Sequence, residues 1–468
     1  MSSPQTRTDP AGFLPLAAML SGVALAYTDS PVAAALSIGF AAATMAVFAL
    51  RVAPSRQVFV LIGLLLIAWA AATRSDWIQG SIEAAQRGTL VITLFVALSA
   101  IRSAATTSPD ILECGRFLAR QRPGLRYIAL TMGGHLFGLI LLYGSISLLG
   151  TLAAESAAKE TDAELRRNRI RRMMVAIQRG FAATLCWSPL GLSMALTLAI
   201  VPGASWTAAI LPCLVSAALL LSLGWGLDAI FKPRLSKAPP PRAPETERWS
   251  TRLRPLLGLL AVVMLTVAAL HLATGISIIG GVMLAVPAIA VLWIATQPRP
   301  RGMSRMGWTG SRIVQFVTRE LPGYRSEIIL LFMAGFIGSM GAYMLLPIVT
   351  AQGLDMQSIP PLLILVAMVW IMPLTGQMGM NPILAVSLLV PLLPSPVQMG
   401  VPPAVVVTAI TGGWALSGTT SPFTASVLIS AALSRVSPRQ AGIGWNGPYI
   451  LVGGIALSAW VVILALIL

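Results

Sequence analysis

A chain of 468 residues, 56% of them hydrophobic and 10% charged, with a mean hydropathy of +0.82, has too little polar surface for a soluble globular protein. Its formal net charge of +16 would suggest nucleic acid in a soluble protein. Here the basic residues sit in short loops between apolar spans, a topological signal that excludes a nucleic-acid partner and leaves a polytopic, all-α protein of the lipid bilayer.

Windows of roughly 20 apolar residues cross a bilayer. They fall at 12–28, 31–50, 57–73, 88–107, 173–200, 205–231, 255–271, 275–296, 328–352, 403–433 and 446–468, eleven in all. The first follows a short polar lead with Arg7 and has a second span close behind it, so it reads as a transmembrane helix rather than a cleaved signal peptide. Two further apolar stretches, 127–153 and 361–395, carry a polar, glycine-containing break near the middle and read as re-entrant hairpins. Arg- and Trp-bearing segments at 74–87 and 308–327 are expected to be interfacial helices.

Basic residues decide the sidedness. With the N-terminus in the cytoplasm, that side holds Arg51, Arg56, Arg116 to Arg126, Arg166 to Arg172, the linker 233–254, the arginines from Arg299 to Arg325, and Arg435 with Arg439. Outside there is little beyond Arg74 and Arg87. The pattern holds only if both hairpins return to the side they entered, and it places the C-terminus outside. The expected organisation is an N-terminal transmembrane helix at 1–30, a first repeat at 31–232, the cytoplasmic linker at 233–254, and a second repeat at 255–468. Each repeat has an odd number of crossings, so the second is inverted relative to the first.

A duplication supports these halves. Residues 176–200 align without a gap on 409–433, a spacing of 233 residues with eight identities in 25 positions. Gly180, Ser188, Pro189 and Ser193 fall on Gly413, Ser421, Pro422 and Ser426. Carried backwards, the same spacing sets 143–147 against 376–380, and a shift of four more sets Leu94-Phe95-Val96-Ala97 against Leu331-Phe332-Met333-Ala334. Duplicated, interrupted membrane halves mark a secondary transporter whose site lies where the halves meet.

Non-helical backbone at membrane depth is costly unless it lines a protein-enclosed or watery cavity, so the breaks carry the chemistry. Ser188-Pro189, Ser421-Pro422 and Asn381-Pro382 each suit the N-cap and first turn of a half-helix. Three N-termini would then offer free N–H groups to an anion, while unwound carbonyls near Ser145, Thr184, Gln377 and Thr419 suit a sodium ion. The candidate substrate- and ion-binding residues are Gly144, Ser145, Ser147, Thr184, Ser188, Gly376, Gln377, Gly379, Asn381, Gly418, Thr419, Thr420, Ser421 and Thr424.

No Asp or Glu lies deep in a span, which leaves His135 and His271 as the titratable groups for proton coupling. Arg102 and Arg179 are expected to snorkel to the interface. Cys114, Cys186 and Cys213 have no CxxC spacing, and neither a disulfide framework nor a zinc site is expected. No phosphate-binding loop, Ser-His-Asp set or HExxH motif occurs, so an enzyme is not expected and no cofactor beyond sodium is called for.

This layout, together with Cys186-Trp187-Ser188-Pro189-Leu190-Gly191, Gly418-Thr419-Thr420-Ser421-Pro422 and Gly379-Met380-Asn381-Pro382-Ile383, resembles the ion transporter superfamily. That group includes the divalent anion:sodium symporters, citrate carriers, arsenite permeases and the large membrane subunit of tripartite carboxylate transporters. The chain departs from the symporters' serine-asparagine-threonine tips, with Gly144-Ser145-Ile146-Ser147 in hairpin one and Gln377 in hairpin two. The resemblance implies a homodimeric secondary carrier of the bacterial inner membrane. It would move a small organic anion by alternating access, coupled to sodium. The alternatives are a proton-coupled carrier, an inorganic-anion exporter, or a lipid-handling or scaffold protein on the same repeat fold.

Overall fold

The computed structural model describes residues 8–232, 249–351 and 358–468, and every regular element among them is helical. Most of the linker expected at 233–254 lies outside the described residues. The chain is an all-α polytopic membrane protein. Among the described residues, ten helical segments are long and apolar enough to cross a bilayer, and they match ten of the eleven expected spans. The eleventh, 403–433, is two helices separated by a non-helical turn.

In chain order, α1 (Phe13–Thr28), α2 (Pro31–Ala49), α3 (Pro54–Thr73) and α4 (Trp77–Thr106) come first. They are followed by α5 (Pro109–Arg120), α6 (Pro123–Leu141) and α7 (Gly144–Ala158). Next are α8 (Ala163–Trp187), α9 (Leu192–Ile200), α10 (Trp206–Ile230), α11 (Trp249–Thr274) and α12 (Ile278–Thr296). After α13 (Arg305–Gln315) a π-helical turn, Phe316–Glu320, and the single turn α14 (Leu321–Gly323) lead into α15 (Arg325–Ala351). The last helices are α16 (Pro361–Gln377), α17 (Pro382–Leu389), α18 (Pro403–Thr420), α19 (Ala425–Ser434) and α20 (Trp445–Ile467). Seven of the helices open on proline, whose fixed φ suits the first turn and whose missing N–H leaves nothing unpaired there.

Two expectations change. Residues 77–87 are not a separate interfacial helix but the first turns of α4, because the helical hydrogen-bond ladder runs unbroken into the span. Arg74, just before it, donates two hydrogen bonds to Asp76, and these, with one from Tyr343, hold the Asp76 carboxyl down at about 2. The segment 308–327 is not one helix but divides among α13, the π turn, α14 and the start of α15. Helix α5 was not foreseen. It is too short to span, but it buries Ile111, Cys114, Phe117 and Leu118 on one face and exposes Asp110, Glu113, Arg116 and Arg120 on the other.

The chain forms two compact units. In the first (Met1–Thr107, Val263–Leu354 and Val386–Leu393), α4 and α15 cross closely, with Phe332 against Gly88 and Gly335 against the Gly88 backbone. The paired tetrapeptides at 94–97 and 331–334 are buried here except for small edges. In the second unit (Ser108–Val262, Asp355–Ala385 and Pro394–Leu468) the centre is α8 and α18, buried continuously over 173–186 and 404–420. Both accept a partner helix at glycine. A Cβ on Gly180 would lie 2.0 Å from the Thr131 carbonyl oxygen of α6, and one on Gly413 2.7 Å from the Val369 carbonyl oxygen of α16.

These approaches predict opposite outcomes for two substitutions in the second unit. Gly180→Ala forces backbone apart and should destabilise the protein by about 2 kcal/mol or more. Gly226→Ala, with nothing within 4 Å of the new methyl group, should be neutral or stabilise by about 0.5–1 kcal/mol. Thermal unfolding in detergent checks both.

Candidate functional site

The two interrupted helices of the second unit break in the same way. Ser188 (φ −68°, ψ 123°) ends α8 and Ser421 (φ −68°, ψ 122°) ends α18. Each serine hydroxyl accepts from the backbone N–H two residues on, Leu190 at 3.2 Å and Phe423 at 3.3 Å. Further along, Ser193 and Ser426 reach back across the breaks and donate to the orphaned carbonyls of Leu185 and Gly418. Thr197 and Ser430 then donate to the carbonyls of Ser193 and Ser426 at 2.7 and 2.8 Å. Every one of these pairs keeps the spacing of 233 residues seen in the sequence.

Ser188 and Ser421 are not the N-caps of the second half-helices. They close the first halves, and after a turn through the proline the N-cap positions fall on Gly191 and Thr424, neither of which makes a side-chain capping bond. Asn381 does cap as expected, its Oδ1 accepting from the Ile383 N–H at 2.8 Å at the start of α17.

The hairpin arms pack in a register different from the one the sequence suggested. Gly138 of α6 meets Thr184 and Phe181, and Gly376 of α16 meets Ser417 and Ser421. Thr184 and Ser417 keep the 233-residue spacing, but Gly138 and Gly376 stand 238 apart. The alignment of 143–147 on 376–380 is therefore five residues out. Hairpin one turns at Leu142, whose φ of +50° is unusual for a bulky residue, and hairpin two turns through Gly379 at φ +92°.

Hairpin two is bonded to its break: the Ser421 hydroxyl donates to the Gly376 carbonyl at 2.6 Å. Beside this contact the Gln377 side-chain nitrogen and the Ser417 hydroxyl are buried with no hydrogen-bond partner among the described residues. Thr419 and Thr420 donate back to the Leu416 carbonyl, and Thr424 to that of Ser421. At the other break Thr184 donates to the Phe181 carbonyl. Ser145, fully buried, donates to the Leu142 carbonyl, whereas Ser147 is exposed on α7, beyond Gly144 at its first position. The two broken helices cross at their interruptions, with Leu185 lying 3.0 Å from where a Gly418 Cβ would be. The structure thus brings together Gly376, Gln377 and Gly418 to Ser421, but not Ser147.

A buried polar network, absent from the sequence reading, fixes this crossing. Arg179 does not snorkel: it is 5% exposed, donates from Nε to Asn446 Oδ1 at 2.9 Å and from Nη1 to the Gly224 carbonyl and Tyr127 hydroxyl, and lies 4.4 Å over the Tyr449 ring. Asn446 in turn donates to Gln178 Oε1 and to the Thr419 carbonyl, both at 3.2 Å, and Gln178 donates to the same carbonyl at 3.3 Å. A π-helical turn, Gln440–Gly444, precedes Asn446, and Gly442 lets it approach the Thr420 carbonyl. Ser417, Gln178 and Asn446 were the residues missed. Their signal was their polarity inside apolar segments.

His135 sits with Nδ1 3.2 Å from the Gly180 carbonyl and Nε2 accepting from Trp187 Nε1 at 3.2 Å. A neutral ring satisfies both contacts. His271 closes α11 through the Ile276 carbonyl, and Arg102 lies over the Tyr324 ring, 5.3 Å from its centroid.

The two serines of break two should separate in stability measurements. Ser421→Ala removes a buried hydrogen bond to hairpin two and should cost about 1 kcal/mol. Ser417→Ala removes an unpartnered hydroxyl and should leave the detergent melting temperature unchanged or raise it.

No protein-family model matches the sequence, and no curated protein matches it. Among solved structures, the YdaH transporter of Alcanivorax borkumensis, reported to have an unusual topology, superposes with a TM-score of 0.54 at 17% identity, over 88% of this chain and 97% of that one. MtrF of Neisseria gonorrhoeae, from a class of antimetabolite efflux pumps, superposes with a TM-score of 0.56 at 15% identity, over 89% and 96%. At these identities the likeness is one of fold, shared along nearly the whole of both transporters.

Proposed function

We propose that the protein is a secondary active transporter of a small, carboxylate-like organic anion, working by alternating access in a bacterial inner membrane and driven by sodium. One observation carries it. At the junction of hairpin two with the second break, Gln377 and Ser417 present buried hydrogen-bond donors with no partner among the described residues, beside a hydroxyl that is already bonded. Buried unpaired donors are costly, and an anion would satisfy them. The uncapped N-termini of α9 and α19 add positive dipole ends of the kind that discontinuous transporter helices offer to anionic substrates. The fold shared with two transporters supports the same reading.

Kinship with the ion transporter superfamily, two inverted repeats and a homodimer belong to this proposal. The matched breaks crossing at Leu185 and Gly418 support the repeats, since residues related by a pseudo-twofold axis meet their own counterparts on it. The sodium ion takes oxygen ligands near Ser145, Thr184 and Gln377 in preference to Thr419, whose carbonyl already accepts two side-chain amides. Coupling through His135 is disfavoured, because a second ring proton would displace the Trp187 donor. A second reading, outward transport, is favoured by the fold shared with MtrF.

In proteoliposomes, flux of a carboxylate selected by sodium-dependent thermal stabilisation should follow an imposed sodium gradient. His135→Gln should retain it, Asn381→Ala and Ser421→Ala should lose most of it, and Ser417→Ala should weaken substrate affinity without loss of stability. Flux unaffected by sodium and abolished by a protonophore would reverse the choice of ion. No flux in either direction would favour a lipid-handling or scaffold role. In a background lacking Cys114, Cys186 and Cys213, cysteines at exposed Ser147 and Met378 should label from opposite sides of the membrane. Labelling of both from one side would overturn the inverted repeats.

A further inference from the structure

Within the second unit a cavity of about 200 Å³ opens between α8, the end of α10 and the start of α20, away from the hairpin tips. Asn168, Arg172, Val175 and Arg179 line it from one face of α8, at spacings of four, three and four residues. Arg171 stands exposed at the mouth, and Arg179 lies about 12 Å further along the helix, just over two turns on, at the floor.

The charges in this cavity do not cancel. Arg172 is neutralised by Asp228 through two hydrogen bonds of 2.9 and 2.6 Å. Arg171 has no acidic partner among the described residues, and the partners of Arg179 are an amide, a phenol, a carbonyl and an aromatic face, all uncharged. Arg179 uses Nε and Nη1 for these, leaving Nη2 without a hydrogen bond among the described residues. A buried guanidinium with no counter-charge and one free donor edge in a cavity calls for an anion. The rim identifies the source. Ile230 and Phe231 are 75% and 67% exposed at the end of α10, a helix apolar enough to span the membrane, and Phe231 lines the cavity itself. Basic pockets between spanning helices at the arginine-rich end are where anionic headgroups are held.

We propose that this cavity binds the phosphate of an anionic phospholipid, with the Arg179 Nη2 edge at the floor, Arg171 at the mouth, and the acyl chains lying along α10 and α20. The assignment is independent of what the protein transports. The other edge of Arg179 holds Asn446, and Asn446 holds the Thr419 carbonyl at the second break, so the lipid would also steady that break through one side chain.

The test uses the full chain purified in a neutral detergent, with phosphatidylglycerol, phosphatidylcholine or inorganic phosphate added, read by thermal unfolding and by native mass spectrometry of retained lipid. Phosphatidylglycerol should stabilise the protein and be retained, and phosphatidylcholine should do neither. Arg171→Gln and Arg179→Gln should each weaken the effect by roughly fivefold or more, the loss expected for one basic contact. Arg319→Gln, an exposed arginine of the other unit, should not. If Arg179→Gln fails to fold, Arg171→Gln and Arg171→Glu decide. Equal effects of the two lipids, or an undiminished effect in the Arg171 variants, would overturn the proposal. Inorganic phosphate matching phosphatidylglycerol would overturn the lipid assignment in favour of a soluble anion.

Discussion

A helix interrupted inside an apolar bundle strands carbonyl oxygens and N–H groups where water cannot reach them, and the second unit is organised around removing that cost. Ser193 and Ser426 do so by reaching back over the breaks to Leu185 and Gly418. Because a hydroxyl can satisfy a carbonyl at short range without charge, the chain keeps two open turns within its most buried helices. Glycines at 180 and 413 then admit the hairpin arms to near-contact with α8 and α18. The hairpin tips are thereby set against the turns.

The backbone of the two breaks is the same, but their chemistry is not. Break one runs through Leu185, Cys186 and Trp187, where break two has Gly418, Thr419 and Thr420. At the first, the aromatic Trp187 joins His135 and accepts Trp206 Nε1 on its carbonyl. At the second, amides of Gln178 and Asn446 converge on the Thr419 carbonyl. Two breaks of like backbone thus carry different side chains, the first apolar and aromatic, the second polar. The unpartnered donors of Gln377 and Ser417 lie on the polar side. An anion is recognised most sharply where unpaired donors already surround it, which is why the substrate proposal rests on break two.

Some of this was readable along the chain and some was not. The spans were legible because crossing a bilayer demands long apolar runs, and the helix starts because proline tolerates only the first turn. The positions of both breaks followed from Ser-Pro pairs repeated at 233 residues. The roles of those serines did not follow, since a Ser-Pro pair suits either the end of one helix or the cap of the next. Only the course of the backbone through the turn assigned the caps to Gly191 and Thr424. The register of the hairpins was misjudged for a related reason. Gaps between packed helices vary in length without changing the packing, so Gly138 and Gly376 are equivalent by contact while a gapless alignment misses them.

Taken alone, the sequence determined the class of the molecule: an all-α membrane protein with two interrupted helices and polar tips, because hydropathy, proline and glycine act locally and leave a local trace. Tertiary structure decided which polar groups are bonded and which are left over. Gln377 and Ser417 lack hydrogen-bond partners among the described residues even though Ser421, beside them, reaches the Gly376 carbonyl, and Arg179 is held as a buried cation by Asn446, Tyr127 and Gly224, which meet it from helices distant in sequence. Hydrogen-bond satisfaction and charge compensation are properties of a packed neighbourhood, and no stretch of chain carries its neighbours with it.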